Sequence, residues 1–124
     1  MARHNDLGKW GEDIAERYLR QRGYILLERD WHRGNCDADL IMLTEDRMTV
    51  VFVEVKTRTT VELFSPEDAV TLPKMKKIGW VANEYIKLKD MSEEARFDIV
   101  TIVGDGHAEP HIEHIEDAFN PMLI

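Results

Sequence analysis

Asp39-Leu40-Ile41-Met42-Leu43-Thr44-Glu45-Asp46-Arg47-Met48-Thr49-Val50-Val51-Phe52-Val53-Glu54-Val55-Lys56 is the stretch that decides the fold of this chain. Two apolar runs, Asp39 to Leu43 and Met48 to Lys56, flank the polar tip Thr44-Glu45-Asp46-Arg47 and predict a β-hairpin. The second run is apolar at successive positions until Glu54, the pattern of a central strand covered on both faces. A charge inside such a strand needs a partner, because burying it alone is expensive. Glu54 and Lys56 are two apart and project from the same face. If the hairpin turns about the Asp46–Arg47 bond, Asp39 falls opposite Glu54 and Asp37 opposite Lys56. Opposed residues have Cβ atoms about 4.5–5.5 Å apart. Two carboxylates at that range repel unless a cation or a proton lies between them.

Before the hairpin, Asn5-Asp6 is expected to cap a helix running to about Arg22. Its apolar stripe is Leu7, Trp10, Ile14, Ala15, Tyr18 and Leu19, and Gly23 is its stop. Tyr24-Ile25-Leu26-Leu27 reads as a short strand and Trp31-His32-Arg33-Gly34-Asn35 as a loop. After the hairpin, Thr57 to Leu63 reads as a loop. Ser65-Pro66-Glu67-Asp68 has the cap-then-proline form that opens a helix, and Pro73 marks a break or kink. Ile78, Val81, Ala82, Tyr85 and Ile86 form a second amphipathic stripe. Phe97 to Val103 is a strand, Gly104-Asp105-Gly106 a turn, and His111 to Ile115 alternates as an exposed edge strand does. The order is helix, three strands, helix, two strands: one mixed α/β domain over residues 1–124.

The composition agrees. A chain of 124 residues, 44% hydrophobic and 32% charged, supports one globular core. No apolar run approaches the length of a membrane helix, and the N-terminus lacks a signal-peptide stretch, so no membrane partner is expected. The single cysteine, Cys36, suits a reducing cytoplasm and reads as a small packing residue or a simply exposed one. The formal net charge of -8 opposes an indiscriminate nucleic-acid coat. That charge is uneven: residues 91–124 carry eight acidic and one basic side chain, leaving the first 90 residues nearly neutral.

Asp39, Glu54 and Lys56 together suit a hard divalent cation. Mg²⁺ takes oxygen ligands and is often held by one or two carboxylates plus a substrate phosphate. Mn²⁺ is the expected substitute. Lys56 then serves to orient a water or to steady charge on the phosphoryl group. Glu12, on the first helix, is a further candidate ligand. The competing reading is an Asp–Glu–Lys network that satisfies only itself. Lys74, Lys76 and Lys77 on the second helix, with Thr57 and Arg58, are expected phosphate contacts. Trp10 and Trp80 read as core and Trp31 as the aromatic available to stack on a base. His111 and His114 point to opposite faces of a strand, so the histidines are not read as a metal cluster.

Several segments together resemble a known family. These are Gly11-Glu12 with Ala15, Tyr18-Leu19 and Gly23-Tyr24; Asp39-Leu40-Ile41; Phe52-Val53-Glu54-Val55-Lys56-Thr57-Arg58; Pro66 with Ala69-Val70 and Lys74; and Arg96-Phe97-Asp98. They resemble the YraN-like bacterial family, related to the PD-(D/E)xK nucleases and to archaeal-type Holliday-junction resolvases. The resemblance implies a restriction-endonuclease-like core in αβββαβ order, a mixed sheet flanked by helices. It implies that Asp39 and Glu54 bind Mg²⁺, that Glu12 and the Val55 carbonyl complete the shell, and that Lys56 assists the water. It implies a DNA substrate, branched DNA in particular, and a homodimer; Arg58, Lys74 and Lys77 are the basic residues expected on the DNA backbone. Where the family usually has Gly-Glu-Ile-Asp, this chain has Cys36-Asp37-Ala38-Asp39, so Asp37 replaces a glutamate. The expected activity is Mg²⁺-dependent endonucleolytic hydrolysis; the alternative is a non-catalytic nucleic-acid-binding domain that keeps the fold.

Overall fold

The structure, a computed structural model, describes residues 3–59 and 70–123, with side chains from Leu7 onward. Its order is α1 (Arg3–Gln21), β1 (Ile25–Arg33), β2 (Cys36–Leu43), β3 (Thr49–Arg58), α2 (Leu72–Leu88), β4 (Glu94–Val103) and β5 (His111–Ile115), with a 3₁₀ turn at Pro121–Leu123. The five strands form one mixed sheet in the order β1-β2-β3-β4-β5. β3 and β4 are parallel and joined through α2, while the other neighbours are antiparallel. This is the expected αβββαβ arrangement, consistent with a restriction-endonuclease-like core. β3 is central, as its continuous apolar run requires.

The sheet has an apolar layer on each face. Leu40, Met42, Val51, Val53, Val100 and Ile102 pack with Ala15 and Leu19 of α1. Ile41, Leu43, Val50, Phe52 and Ile99 pack with Ile78, Val81, Ala82 and Tyr85 of α2. The alternation along β3 therefore assigns Glu54 and Lys56, which follow Phe52 at period two, to the α2 face. No helix among the described residues is long and apolar enough to cross a membrane.

Helix ends explain most boundaries. α1 closes with Gly23 at φ 93°, Gly23 N–H on Arg20 C=O and Tyr24 N–H on Leu19 C=O. This is the paired bonding of a left-handed C-terminal cap, and it needs glycine. α1 starts at Arg3, before the expected Asn5-Asp6 cap. α2 is capped by Thr71, whose hydroxyl accepts the Lys74 N–H, and Pro73 sits in its first turn. Pro73 thus opens this helix where a break was expected, since proline costs nothing where no N–H is needed. Residues 65–68, the expected helix start, residues 60–63 of the expected loop, and Ala69 lie outside the described residues. Thr57 and Arg58 belong to β3, beyond its expected end, because they pair with Ile102 and Val103 of β4.

β1 corrects the expected short strand and loop. It runs on to Arg33 through an irregularity at Leu26/Glu28, pairing with β2 as far as Cys36. Trp31 therefore lies in the sheet with its ring edge-on to Tyr85 at 5.1 Å, and is not a loop aromatic. Trp80 reverses in the other sense. It is 47% exposed on α2, because the inner stripe of that helix is complete without it.

β5 is also less exposed than its alternation suggested. His114 faces inward, with Nε2 2.7 Å from Asp98 Oδ2. Asp98, 0% exposed, also accepts Arg96 Nε at 2.9 Å, Arg96 Nη2 at 2.8 Å and the Asp117 N–H at 3.0 Å. Arg96 in turn donates to Tyr24 Oη at 2.6 Å and pairs with Glu116. A buried carboxylate so fully satisfied ties β4 to β5, and Arg96 links it to Tyr24 just before β1.

Candidate metal and phosphodiester site

The hairpin pairs Leu40 with Val53, Ile41 with Phe52, Met42 with Val51 and Leu43 with Val50. That is the expected register. Its tip is held by Asp46 Oδ1, which accepts from the Thr44 hydroxyl and the Met48 N–H. The recorded pairs stop one position short of Asp39 and Glu54, so the expected Asp37–Lys56 pairing is not formed. Asp37 pairs with His32 of β1 instead. Where the ladder ends, a side chain takes over: Asp39 Oδ2 accepts the Val55 N–H at 2.8 Å. This fixes the Asp39 carboxylate between two strands that are parting.

Glu54 is 8% exposed and hydrogen-bonded to Asp39. Two carboxyl groups bond to each other only through a proton. Burial, the bond to Asp39 and the Asp39 charge raise the Glu54 pKa to about 9, against the opposing charges of Lys74 and Lys56. Lys74 Nζ lies 3.8 Å from Glu54 Oε2, so this lysine leans on the carboxyl centre and is not simply an outward phosphate contact. Ile78, one turn on, lines a small cleft with Ala38, Asp39, Phe52, Val53 and Glu54.

Glu12 reaches the same centre from the other side of the sheet. A Cβ on Gly11 would collide with the Thr57 side chain, so a glycine here lets α1 lie against β3 and brings Glu12 to the strand ends. Burial, then the charges of Asp39 and Asp30, raise the Glu12 pKa to about 7, with Arg29 opposing. Arg29 of β1 gathers three acids of α1: Asp13 at 2.6 Å, Glu16 at 3.2 Å and Glu12 at 3.5 Å.

Glu12, Asp30 and Asp39 each offer a carboxylate oxygen within 4.8 Å of the others. Asp30 was not singled out from the sequence. It sits at φ 52°, a left-handed conformation that aspartate tolerates better than most residues, just past the irregularity in β1. Neither feature has a period to detect. An all-oxygen donor set, in which burial and the neighbouring acids raise the Glu12 pKa, fits a hard divalent cation of the Mg²⁺ or Mn²⁺ type. Of the expected ligands, the structure brings Asp39, Glu12 and Glu54 together, with Glu54 joined through Asp39. Val55 is present through its N–H. Lys56 is half-buried and close enough for its charge to act on Glu54. Arg58 stands at the end of β3, where its guanidinium donates to the Thr57 carbonyl at 3.0 Å. Lys77 is exposed on α2.

Residues 11–102 match the model of Uncharacterised protein family UPF0102. Proteins of that family from Bacteroides thetaiotaomicron, Flavobacterium psychrophilum and Parabacteroides distasonis are 42%, 41% and 43% identical to the chain. The alignments cover 100%, 96% and 96% of this chain and 100%, 98% and 96% of those proteins. Among solved structures, Pyrococcus furiosus SfsA in complex with Ca²⁺ aligns at 13% identity and a TM-score of 0.38. That alignment covers 91% of this chain, which spans 63% of the SfsA chain.

Proposed function

The chain belongs to the UPF0102 family, as its YraN-like resemblance implied, and on that premise we propose that it is a divalent-metal-dependent endonuclease hydrolysing DNA phosphodiester bonds. One observation carries this reading. Asp39 and Glu54 meet where β2 and β3 part, with Glu12 and Asp30 converging on Asp39 and Lys56 beside Glu54.

Asp39, Glu12 and Asp30 would hold Mg²⁺ or Mn²⁺, with Glu54 turning to it once its proton is lost and the Val55 carbonyl completing the shell. When bound, such an ion lowers the pKa of a coordinated water and offsets charge on the phosphoryl group. The Val55 N–H holds Asp39 in one orientation, so little reorganisation is needed when substrate arrives. Lys56 is the cation on the same strand face as Glu54 and steadies charge as water attacks phosphorus in line. Lys74 holds the Glu54 carboxyl and can pass to a phosphate when Glu54 becomes a ligand. Arg58 and Lys77 extend the basic contact along the DNA backbone. Branched DNA is the proposed substrate, a homodimer the proposed means of cutting two strands, and a reducing cytoplasm the setting that suits lone Cys36.

The test is cleavage of duplex, single-stranded, flap and four-way-junction DNA by purified protein in Mg²⁺, Mn²⁺ or EDTA. Metal-dependent products that vanish in Glu54→Ala and Lys56→Ala support the reading. Cleavage unchanged in either variant sinks it. Binding that persists in EDTA with no cleavage of any substrate would instead favour a non-catalytic nucleic-acid-binding domain.

A further inference from the structure

Resting on the DNA reading above, we propose that Trp80 is a stacking platform for an unpaired nucleobase, which selects DNA with single-stranded nucleotides beside a duplex.

Trp80 is 47% exposed although it stands in the middle of a packed helix. Ile78, Val81, Ala82 and Tyr85 already bury the inner face of α2, so the indole is not needed for the core. Its position is nonetheless fixed. The helix holds its backbone, and its ring edge leans over the β1–β2 turn, where a Cβ on Gly34 would lie 3.8 Å from Trp80 Cη2. The Arg33–Glu84 pair, at 3.5 Å, ties that turn to the same flank of α2.

The flank leads to the carboxyl centre. Lys77 is three residues before Trp80 and shares its side of the helix. Lys74 touches Glu54, and Ile78 lines the cleft with Asp39 and Glu54. The β1–β2 turn lies at the same end of the sheet as Lys56 and Arg58, because β2 starts where β3 finishes. Trp80 is six residues from Lys74, about 9 Å along the helix axis. With the turn around the helix added, the indole stands within a few nucleotides of a phosphate at the centre. Lysines on the backbone and an aromatic face for the base are the two parts of a single-strand platform. A base in an intact duplex keeps both faces covered by its neighbours, so only an unpaired base can use the ring.

Binding in EDTA separates this from hydrolysis. Fluorescence anisotropy would compare a fluorescein-labelled blunt duplex with the same duplex carrying a single-stranded flap, for wild type, Trp80→Ala, Trp80→Leu and Trp80→Phe. Thermal melting of each variant checks that an exposed substitution leaves the fold intact. Loss of one stacked base predicts that Ala and Leu weaken flap binding about tenfold, while Phe stays within about threefold and duplex affinity holds. Flap binding unchanged in Trp80→Ala, wild-type affinity in Trp80→Leu, equal losses on both DNAs, or no flap binding by wild type would each overturn the proposal. Trp80-dependent flap binding without metal-dependent cleavage would sink the nuclease reading alone. Cleavage that needs Glu54 but ignores Trp80 would sink the stacking platform alone.

Discussion

Glu54 keeps its proton well above the ordinary glutamate range because it is buried beside Asp39. Its pKa is raised from the ordinary glutamate value to about 9, so between those values the unfolded chain loses a proton that the folded chain keeps. Stability of the metal-free protein therefore falls as pH rises through that window, and Glu12 adds a smaller fall up to about 7. Glu54→Gln mimics the protonated group. Urea unfolding should show the variant close to wild type below the ordinary glutamate pKa, more stable than wild type at pH 7, and with a flatter decline toward pH 9. Asp98 has the opposite sign. Burial raises its pKa, but hydrogen bonds from His114, Arg96 and the Asp117 N–H outweigh that and hold it below the usual value. Its contribution is present above the unfolded aspartate pKa and lost as pH falls through the folded one. Asp98→Ala removes the acceptor and leaves Arg96 and His114 short of a partner. A loss of about 3 kcal/mol at pH 7, measured by denaturant melting, is expected.

At the level of elements, Glu12 reaches the site because α1 packs closely on β3. Gly11 makes that approach possible, since a side chain there would meet Thr57. Gly11→Ala must push the helix out or twist Thr57, a strain of about 1–3 kcal/mol. Melting should report that loss, and Mg²⁺ affinity should fall with it because Glu12 moves away. Thr57→Ala in the same molecule should recover part of both, giving a coupling in the double-mutant cycle that independent sites would not show. Strand positions of Asp39 and Glu54 were readable because hairpin register follows from turn and alternation. Asp30 and Arg29 were not, since an irregularity in β1 decides where they point. Trp31 and Trp80 differ from their expected placement for a similar reason. The extension of β1 buried one, and a complete inner stripe on α2 left the other outside.

For the molecule as a whole, metal and folding should be linked. A ligand held only by the native state stabilises it, by about 2.7 kcal/mol at a hundred times Kd. Because carboxylates must lose protons to bind, the effect grows with pH. Mg²⁺ or Mn²⁺ should raise the melting temperature more at pH 8 than at pH 6, and Asp39→Asn should abolish the difference. Calorimetry with and without the metal checks this, and an equal shift at both pH values would contradict it. The net charge of -8 bears on DNA in the same way. Asp98 is buried against Arg96, and the exposed Glu116 pairs with the same guanidinium, so part of the C-terminal acidity is offset by Arg96. DNA binding should still be weak and fall with salt, with a modest slope set by the few phosphates that Lys77, Lys74 and Arg58 can reach.

The sequence by itself determined the order of elements, the central place of β3, the hairpin register and the shared sheet face of Asp39 and Glu54. All four rest on local periodicity, turn chemistry and the cost of burying charge, which act within a few residues of each other. Tertiary structure alone decided that Asp30 and Arg29 join the carboxyl centre, that Lys74 leans on Glu54, that His114 and Arg96 enclose Asp98, and that Trp80 faces solvent. Each of those depends on how two distant elements dock, and docking is set by the shapes of both partners, which no single stretch of sequence contains.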